Sequence, residues 1–357
     1  MSSLTTTRLV QAAILAVAVA FAGGSAAAGS LDGVNLRVGT WGGPWQKIQK
    51  EMLVPKMEAM GAKVTFVSGS PPANMAKLIA ARGGQAPMDM IEILDAIVPS
   101  LREGGFLQPV DVSQIPNVKY IAKGKYDDLM VSHWTTQEGI CYNEPKFKEL
   151  GIPAPKTYAD LNHPKLAGRL QIPDIVSGGG LSAVAGFALA NGGGVDNASP
   201  GIKAIAKLKA LKFWKRGAEA LTQLKSGDIY AAVIHAGWCV RAVNAGLTVA
   251  SAHPVLNDKY TGIVKQGLWG IVKGSKNAKA AHAYINLFLD TDFQRTFAKK
   301  RGVVPENLDA VRGLASDATL KRIMILDPAQ IARMYRPDFS KANISAWMDE
   351  WNRTVAR

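Results

Sequence analysis

The sequence has few of the closely spaced groups that catalysis or metal binding requires. Its 357 residues include two cysteines and five histidines, and no two histidines form an H-E-x-x-H zinc pair. It also lacks a G-x-S-x-G turn, a phosphate-binding P-loop and a G-x-G-x-x-G fingerprint. A catalytic triad can still assemble from residues that are distant in sequence, so a secreted enzyme stays the alternative. These absences favour a binding protein without a cofactor.

Acidic residues are outnumbered by basic ones, 28 against 42, which gives a formal net charge of +14. Such a balance is typical of proteins that meet nucleic acid, anionic surfaces or acidic solutes. The densest basic cluster lies on or just after one amphipathic helix: Lys203, Lys207, Lys209, Lys212, Lys215 and Arg216. The chain has no RNP motif, zinc finger or basic zipper. We interpret the cluster as a solvated face and predict no nucleic-acid partner.

Long apolar runs are missing except at the N-terminus. There, a short basic start leads into the apolar run Leu9–Ala22, and Ala26–Ala28 follows with small residues. Gln11 and a Gly-Gly-Ser break keep this run below the roughly 20 residues that span a membrane. Residues 1–28 are therefore predicted to be a cleaved signal peptide, which implies a periplasmic protein.

The two cysteines, Cys141 and Cys239, lie in a predicted strand (Ile140–Tyr142) and at a predicted helix start (Trp238–Arg241). In an oxidising compartment they can form a single disulfide. Two buried thiols that pack as small hydrophobes explain the same positions equally well. The sequence leaves both alternatives open.

Strand and helix patterns alternate along the chain, which predicts an α/β fold with largely parallel sheets. Predicted strands include Asn35–Thr40, Lys63–Val67, Met88–Leu94, Gly139–Asn143, Arg169–Pro173, Ile229–Ile234 and Val264–Lys273. Among the helix signals, Pro55 predicts a kink. Ser199 predicts an N-cap, and Thr291 with Gln294 predicts a capping box.

Three loops that follow predicted strands have unusual compositions: Thr40–Trp45, Leu94–Pro99 and Asp174–Gly180. In open parallel sheets such loops converge on a crevice. Glycine lets backbone N–H groups approach a ligand, and tryptophan offers a flat apolar wall. We assign Trp41 to this crevice and Trp45, at helical spacing, to the core.

Several segments carry a family resemblance in a fixed order. They are LRVGTWGGPW, PMDMIEILDAIVPSLREGGFLQPVD, GICYNEPKFKELGIPAPKTYADLNHPKLAGRL, LKSGDIYAAVIHAGWCVRAVNAG and VKGSKNAKAAHAYINLFLDTDFQRTFAKKRGVVPEN. Together the chain resembles the periplasmic solute-binding proteins of ATP-driven (ABC) importers, and the spermidine/putrescine-binding type in particular. The resemblance runs from about residue 35 to residue 306.

This resemblance implies a two-lobed type II periplasmic-binding fold, each lobe a mostly parallel sheet flanked by helices, with the ligand cleft between the lobes. The implied first lobe comprises residues 29–138 and 263–305, and the second lobe residues 139–262, with a helical tail, 306–357, packed on it. The chain would cross between lobes near 137–140 and 261–268. The implied protein is a monomer that delivers a small-molecule solute to a membrane permease.

Site residues are implied position by position by the same resemblance. The candidate ligand-binding residues are Thr40, Trp41, Gly42, Asp95, Glu138, Ser177, Gly178, His235, Trp238, Lys265, Gly267 and Trp269. For several of them a structural role is the alternative: a helix cap for Asp95, a solvated strand edge for Glu138 and a buried core histidine for His235. Gly178–Gly180 could equally form a simple connector.

The chain departs from polyamine binders where carboxylates would hold ammonium groups. The second-lobe loop offers serine and glycine instead, and Lys265 and Gly267 replace an aromatic and an acid. The expected solute is therefore an amine or amino acid, related to polyamines but carrying a single amine. Asp95 would bind its amine, and Ser177 with the amides of 178–180 would bind its anionic group. A ferric-ion receptor is a weaker alternative, because no two tyrosines are adjacent.

Overall fold

The computed structural model describes residues 30–355. The predicted signal peptide lies outside the described residues. The described strands are β1 (Asn35–Thr40), β2 (Lys63–Ser68), β3 (Met90–Leu94), β4 (Leu107–Gln108), β5 (Met130–Asn143), β6 (Leu170–Pro173), β7 (Lys212–Trp214), β8 (Ala231–His235), β9 (Val249–Ala252), β10 (Ile263–Val272) and β11 (Val304–Pro305).

Fifteen α-helices surround these strands in residues 30–355. They are α1 (Pro44–Met52), α2 (Val54–Ala59), α3 (Pro71–Ala80), α4 (Val98–Glu103), α5 (Glu144–Glu149), α6 (Gly180–Ala190), α7 (Ser199–Lys207), α8 (Gly217–Ser226), α9 (Ala236–Asn244), α10 (Ala278–Phe288), α11 (Thr291–Arg301), α12 (Leu308–Leu314), α13 (Ala318–Ile323), α14 (Pro328–Ile331) and α15 (Ile344–Thr354). Over the same range, no helix combines the length and apolarity that crossing a membrane demands.

All the strands join in one sheet, whose main order is β2-β1-β3-β10-β5-β8-β6-β7. The strands near each end of the sheet pair in parallel, β1 with β2 and β3, and β6 with β7 and β8. Helices connect these parallel strands, as parallel pairing requires. The α/β fold class predicted from the alternation is confirmed.

Two long strands run antiparallel through the middle of the sheet. β5 pairs with β10 from Met130↔Gly270 to Glu138↔Ile263. Beyond Glu138, β5 pairs instead with β8 and β9. The first half of β5 therefore belongs with the strands at one end of the sheet, and its second half with those at the other end.

Separate hydrophobic clusters mark two lobes. One cluster surrounds α10 and α11 and includes Leu36, Trp269 and Phe288. Another lies beyond the middle of β5 and includes Phe187 and Ile202. The C-terminal segment joins the second cluster: α15 packs on α7, and Trp347 and Trp351 are buried in that core.

A disulfide joins Cys141 on β5 to Cys239 on α9, so the alternative of two free thiols is wrong. Its Cα–Cα distance of 5.6 Å is in the usual range for such bridges. The bridge ties β5 to the first turns of α9, which carries cleft residues described below. It closes a large loop, because the cysteines are 98 positions apart.

Local signals predicted some boundaries and missed others. The helix breaks at Leu53, between α1 and α2, as the kink at Pro55 predicted. The predictions that Ser199 and Thr291 are N-caps are wrong. Ser199 is already helical and its hydroxyl donates to Glu350, and Asp290 caps α11 because its carboxylate accepts two amides of the first turn.

Candidate functional site

A cleft of about 710 Å³ lies between the two lobes, within the range typical of small-molecule sites. Five tryptophans line it: Trp41, Trp45, Trp134, Trp214 and Trp238. Trp41 follows β1 and Trp214 ends β7, Trp134 lies on β5, and Trp45 and Trp238 lie in the first turns of α1 and α9. The cleft therefore has aromatic walls on two sides.

Trp41 and Gly178 bring the two lobes into contact at the edge of the cleft. Trp41 follows β1, and Gly178 belongs to the loop between β6 and α6. A Cβ atom on Gly178 would lie 3.3 Å from the Trp41 ring, tighter than an ordinary contact. The glycine thus lets the indole of the first lobe approach the backbone of the second.

Lys265 fixes the same loop to the middle of the sheet. Its Nζ donates to Glu138 Oε1 at 2.6 Å and to the Gly178 carbonyl at 2.8 Å. Glu138 and Lys265 are 0% and 5% exposed. A buried pair of this kind is held in one geometry, because either charge alone would be costly to bury. Lys265 therefore links the crossing strands to the second-lobe loop.

A buried carboxylate supports the aromatic wall of the first lobe. Glu92 on β3 accepts the indole N–H of Trp45 at 3.1 Å and that of Trp134 at 3.0 Å. It also accepts the Thr40 hydroxyl proton and contacts His133. Since these donors are satisfied beneath the surface, the two indoles present apolar faces to the cleft.

The second-lobe wall carries a stacked cation. The Arg241 guanidinium lies 4.1 Å from the centre of the Trp238 ring and donates to the Arg301 carbonyl at 3.0 Å. Burial, with a contribution from nearby Arg301, lowers the pKa of Arg241 to about 9. Burial also lowers the pKa of Arg301. The Arg241 guanidinium is thus poorly solvated and is further disfavoured by the charge of Arg301.

His235 ends β8 and lines the cleft beside these cations. Its Nδ1 lies 3.4 Å from the Thr136 hydroxyl. Burial, followed by the charges of Lys265 and Arg241, lowers the pKa of His235 well below its usual value. The imidazole is therefore neutral at pH 7 and adds no charge to the cleft.

Six of the residues predicted from the sequence line the cleft: Trp41, Gly42, Gly178, His235, Trp238 and Lys265. Trp45, which the helical spacing assigned to the core, lines it as well. Its indole N–H points inward to Glu92 while the ring meets the gap. Trp45 also packs against the first-lobe core, 4.5 Å from the Phe297 ring, so the core assignment is confirmed and the cleft contact is added to it.

The other predicted residues are not among the cleft-lining residues. Thr40 and Trp269 are fully buried in the first lobe, where Trp269 stacks on His133 at 4.9 Å. Gly267 lies behind Trp134, and a side chain there would overlap that ring. Glu138 is buried beneath Lys265, so its alternative as a solvated strand-edge residue is wrong.

Asp95 and Ser177 are held by local hydrogen bonds. The Asp95 carboxylate accepts the backbone N–H groups of Ala96 and Gln266, each at 3.0 Å. Burial, opposed by these bonds and by Lys265, raises the pKa of Asp95 to about 6. The Ser177 hydroxyl accepts the Gly179 N–H at 3.3 Å. Both side chains thus accept backbone N–H groups of nearby segments, and their predicted contacts with a solute stay a prediction.

Sequence reasoning missed several cleft residues. Trp214 ends β7 and donates to the Val233 carbonyl at 3.0 Å. Arg241 and Arg301 are 60 positions apart and meet only through the packing of α9 against α11. An acid inside the apolar strand Met90–Leu94 was a usable signal for Glu92, since a buried carboxylate requires donors.

In the part of the chain that the structure describes, no three His, Cys, Asp or Glu side chains are grouped as metal ligands would be. The cleft instead combines aromatic walls with basic side chains between two lobes. This arrangement defines a receptor for a small solute.

Comparisons with known proteins agree with that class. The model of the family described as bacterial extracellular solute-binding proteins matches residues 51–322, more than half of the chain. The chain belongs to this family. A comparison with curated protein sequences finds no match.

Solved structures share the fold at low sequence identity. The PBP MotA from A. tumefaciens B6, in complex with glucopine, has a TM-score of 0.72 and 20% identity, covering 90% of this chain and 100% of that one. A proposed spermidine/putrescine ABC transporter from Listeria monocytogenes has a TM-score of 0.70 and 19% identity, covering 90% and 98%. The Atu4243-GABA receptor has a TM-score of 0.70 and 20% identity, covering 90% and 97%.

Proposed function

We propose that the chain is the substrate-binding component of an ABC-type importer. It captures a small organic solute in the cleft between the lobes and presents the closed form to a membrane permease. It works in the periplasm as a monomer after residues 1–28 are removed, and it leaves the solute chemically unchanged. The observation that carries this proposal is the cleft of about 710 Å³ whose walls come from both lobes.

The proposed hinge lies where the long strands change partners, near Glu138 and Ile263. With this hinge, residues 29–138 and 263–305 form the first lobe, residues 139–262 form the second, and 306–357 pack on the second. Rotation about two strands would leave the clusters around Phe288 and Phe187 intact, and it would shift α9 against α11, which pack together across the proposed boundary. Ligand contacts to both lobes would then favour the closed form over the open one.

The structures that share this fold do not identify one class of solute, so the class has to be inferred from the cleft of this chain. Structures of the same fold are described with glucopine, with GABA and as a spermidine/putrescine transporter. An amine-bearing, polyamine-related solute was expected from the resemblance, with Asp95 as its partner. Asp95 is occupied by backbone N–H groups, so the geometry gives that expectation no support.

Small-angle X-ray scattering with and without solute tests the closure. Spermidine, 4-aminobutyrate, glucopine and a set of organic acids serve as probes, and mass spectrometry checks that the bound compound is recovered unaltered. A receptor becomes more compact and is stabilised by RT ln(1 + [L]/Kd). Consumption of the compound at catalytic protein levels would support the secreted-enzyme alternative instead.

A matched pair of glycine variants sharpens the test. Gly178→Val places a branched side chain against Trp41, so we expect the lobes to close incompletely and the affinity to fall. Gly84→Val lies in the first lobe, where a Cβ atom would meet only the Ala81 carbonyl at 3.5 Å. Closure should be normal in that control. Normal closure in Gly178→Val as well would contradict the proposed contact between the lobes.

A further inference from the structure

The charges that line the cleft are all positive at neutral pH. The basic residues are Lys215, Arg216, Arg241, Lys265, Lys300 and Arg301, and no aspartate or glutamate is among the lining residues. Lys265 is paired with Glu138, and Arg216 lies 3.5 Å from Glu219. The remaining cations have no carboxylate within 4.0 Å among residues 30–355.

Among these cations, Arg241 is the one that most clearly lacks an anionic partner. Its Nε–H is buried and donates to no hydrogen-bond acceptor in the described part of the chain. Its other contacts are a neutral carbonyl of Arg301 and the face of Trp238. A buried guanidinium normally has a carboxylate or phosphate partner, because removing it from water otherwise costs free energy.

The tryptophans determine what else the solute must carry. The indole N–H groups of Trp45, Trp134 and Trp214 are all bonded to protein acceptors. The parts of these rings that line the cleft therefore offer apolar contact and no hydrogen bond. A flat apolar group packs well between such rings, whereas a small polar anion would leave the rings in contact with water.

A polyamine fits this cleft poorly. Each ammonium group would enter a site that already contains unpaired cations and no available carboxylate. The neutral state of His235, caused by burial and the neighbouring cations, is consistent with a site that disfavours positive charge.

We propose that the cleft binds an organic carboxylate with a flat apolar body. The carboxylate lies on Arg241 and Arg301, and the body lies between the tryptophans of the two lobes. This inference rests on the proposed receptor function and names its solute class.

An isosteric series tests the sign of the charge directly. The probes are 3-phenylpropionate, 3-phenylpropanol and 3-phenylpropylamine, which share one body and differ in head-group charge, with spermidine as a fourth compound. Calorimetric titration and thermal unfolding should rank the carboxylate first. If the amine or spermidine binds more tightly and compacts the protein, the receptor function stands and the carboxylate assignment is wrong. Absence of binding by the carboxylate up to about 1 mM also overturns the assignment.

Variants of the two arginines test the site. Arg241→Met and Arg301→Met should each weaken 3-phenylpropionate binding about ten- to a hundredfold, as expected for loss of a charged hydrogen bond. Arg169→Met is the matched control, because Arg169 also stacks on an aromatic ring, Tyr230, and donates to a carbonyl, but outside the cleft. Affinity should be unchanged in this control.

The unliganded variants separate ligand binding from a structural role. Because Arg241 lacks a counter-ion, unliganded Arg241→Met should be as stable as the wild type or more stable. A large loss of stability together with unchanged affinity in both cleft variants would show that the arginines support the fold and not the solute.

Discussion

Lys265 and Glu138 form the buried ion pair at the proposed hinge, and breaking it should have a large cost. In Lys265→Met, the Glu138 carboxylate stays buried at 0% exposure without its partner. Its second oxygen, Oε2, already has no hydrogen bond within residues 30–355. Removing one member of a buried pair typically costs about 3–5 kcal/mol, so we expect Lys265→Met to be destabilised by that amount.

The second variant of the cycle removes both charges. Lys265→Met combined with Glu138→Leu leaves no buried charge, and such replacements are often neutral. The double variant should therefore regain about 2–3 kcal/mol relative to the sum of the single variants. Urea unfolding followed by circular dichroism measures the four stabilities.

An exposed pair provides the control. Lys146 and Glu149 lie at the same 2.6 Å distance, but their side chains are 30% and 62% exposed. Lys146→Met should cost less than about 1 kcal/mol, because water screens the exposed pair. If Lys265→Met costs no more than Lys146→Met, or if the cycle is additive, the reasoning about the buried pair is refuted.

Three further predictions concern other parts of the chain. The variant with alanine at Cys141 and Cys239 should be less stable than the oxidised wild type by about 2–4 kcal/mol, since the bridge closes a loop of about 100 residues. Equal stability of the reduced and the oxidised wild type would contradict this expectation. Because the folded-state pKa of Asp95 is raised to about 6, its protonated form favours folding, and this contribution is lost as the pH rises from 4 to 7. The free energy of unfolding of Asp95→Asn should therefore rise by up to about 3 kcal/mol relative to that of the wild type across that range. A stability difference that does not change with pH would contradict the raised pKa. Glu92→Leu should leave the indole N–H of Trp134 unsatisfied and cost at least about 2 kcal/mol in urea unfolding, with altered tryptophan fluorescence; an unchanged spectrum would count against the buried support.

Much of the fold could be predicted because its signals are local. The strand at Asn35–Thr40 alternates apolar and polar residues, and the glycine-rich loops follow strands. The first half of β5 could not be predicted, because Ser132–Glu138 is polar at every position except Trp134 and is nevertheless buried. Its side chains find partners such as Glu306 and Lys265, which lie more than 100 residues away.

The cleft was predictable in part for the same reason. Trp41 and Gly178 lie in loops whose composition is unusual, and these loops meet across the gap. Arg241 and Arg301 lie on helices with ordinary amphipathic patterns, so nothing local distinguishes them from solvated cations. Asp95 shows the converse: its loop position suggests a ligand contact, but nearby backbone N–H groups occupy its carboxylate.

The central claim is that a solute is held unaltered between the two lobes of this chain. A crystal structure of the protein isolated from its native cells, with the co-purified solute retained, tests it most directly. We predict density for an intact organic acid between Trp41 and Trp238, with its carboxylate on Arg241 and Arg301. Density for a solute on an outer surface, or for a cleaved product in the cleft, would contradict the account.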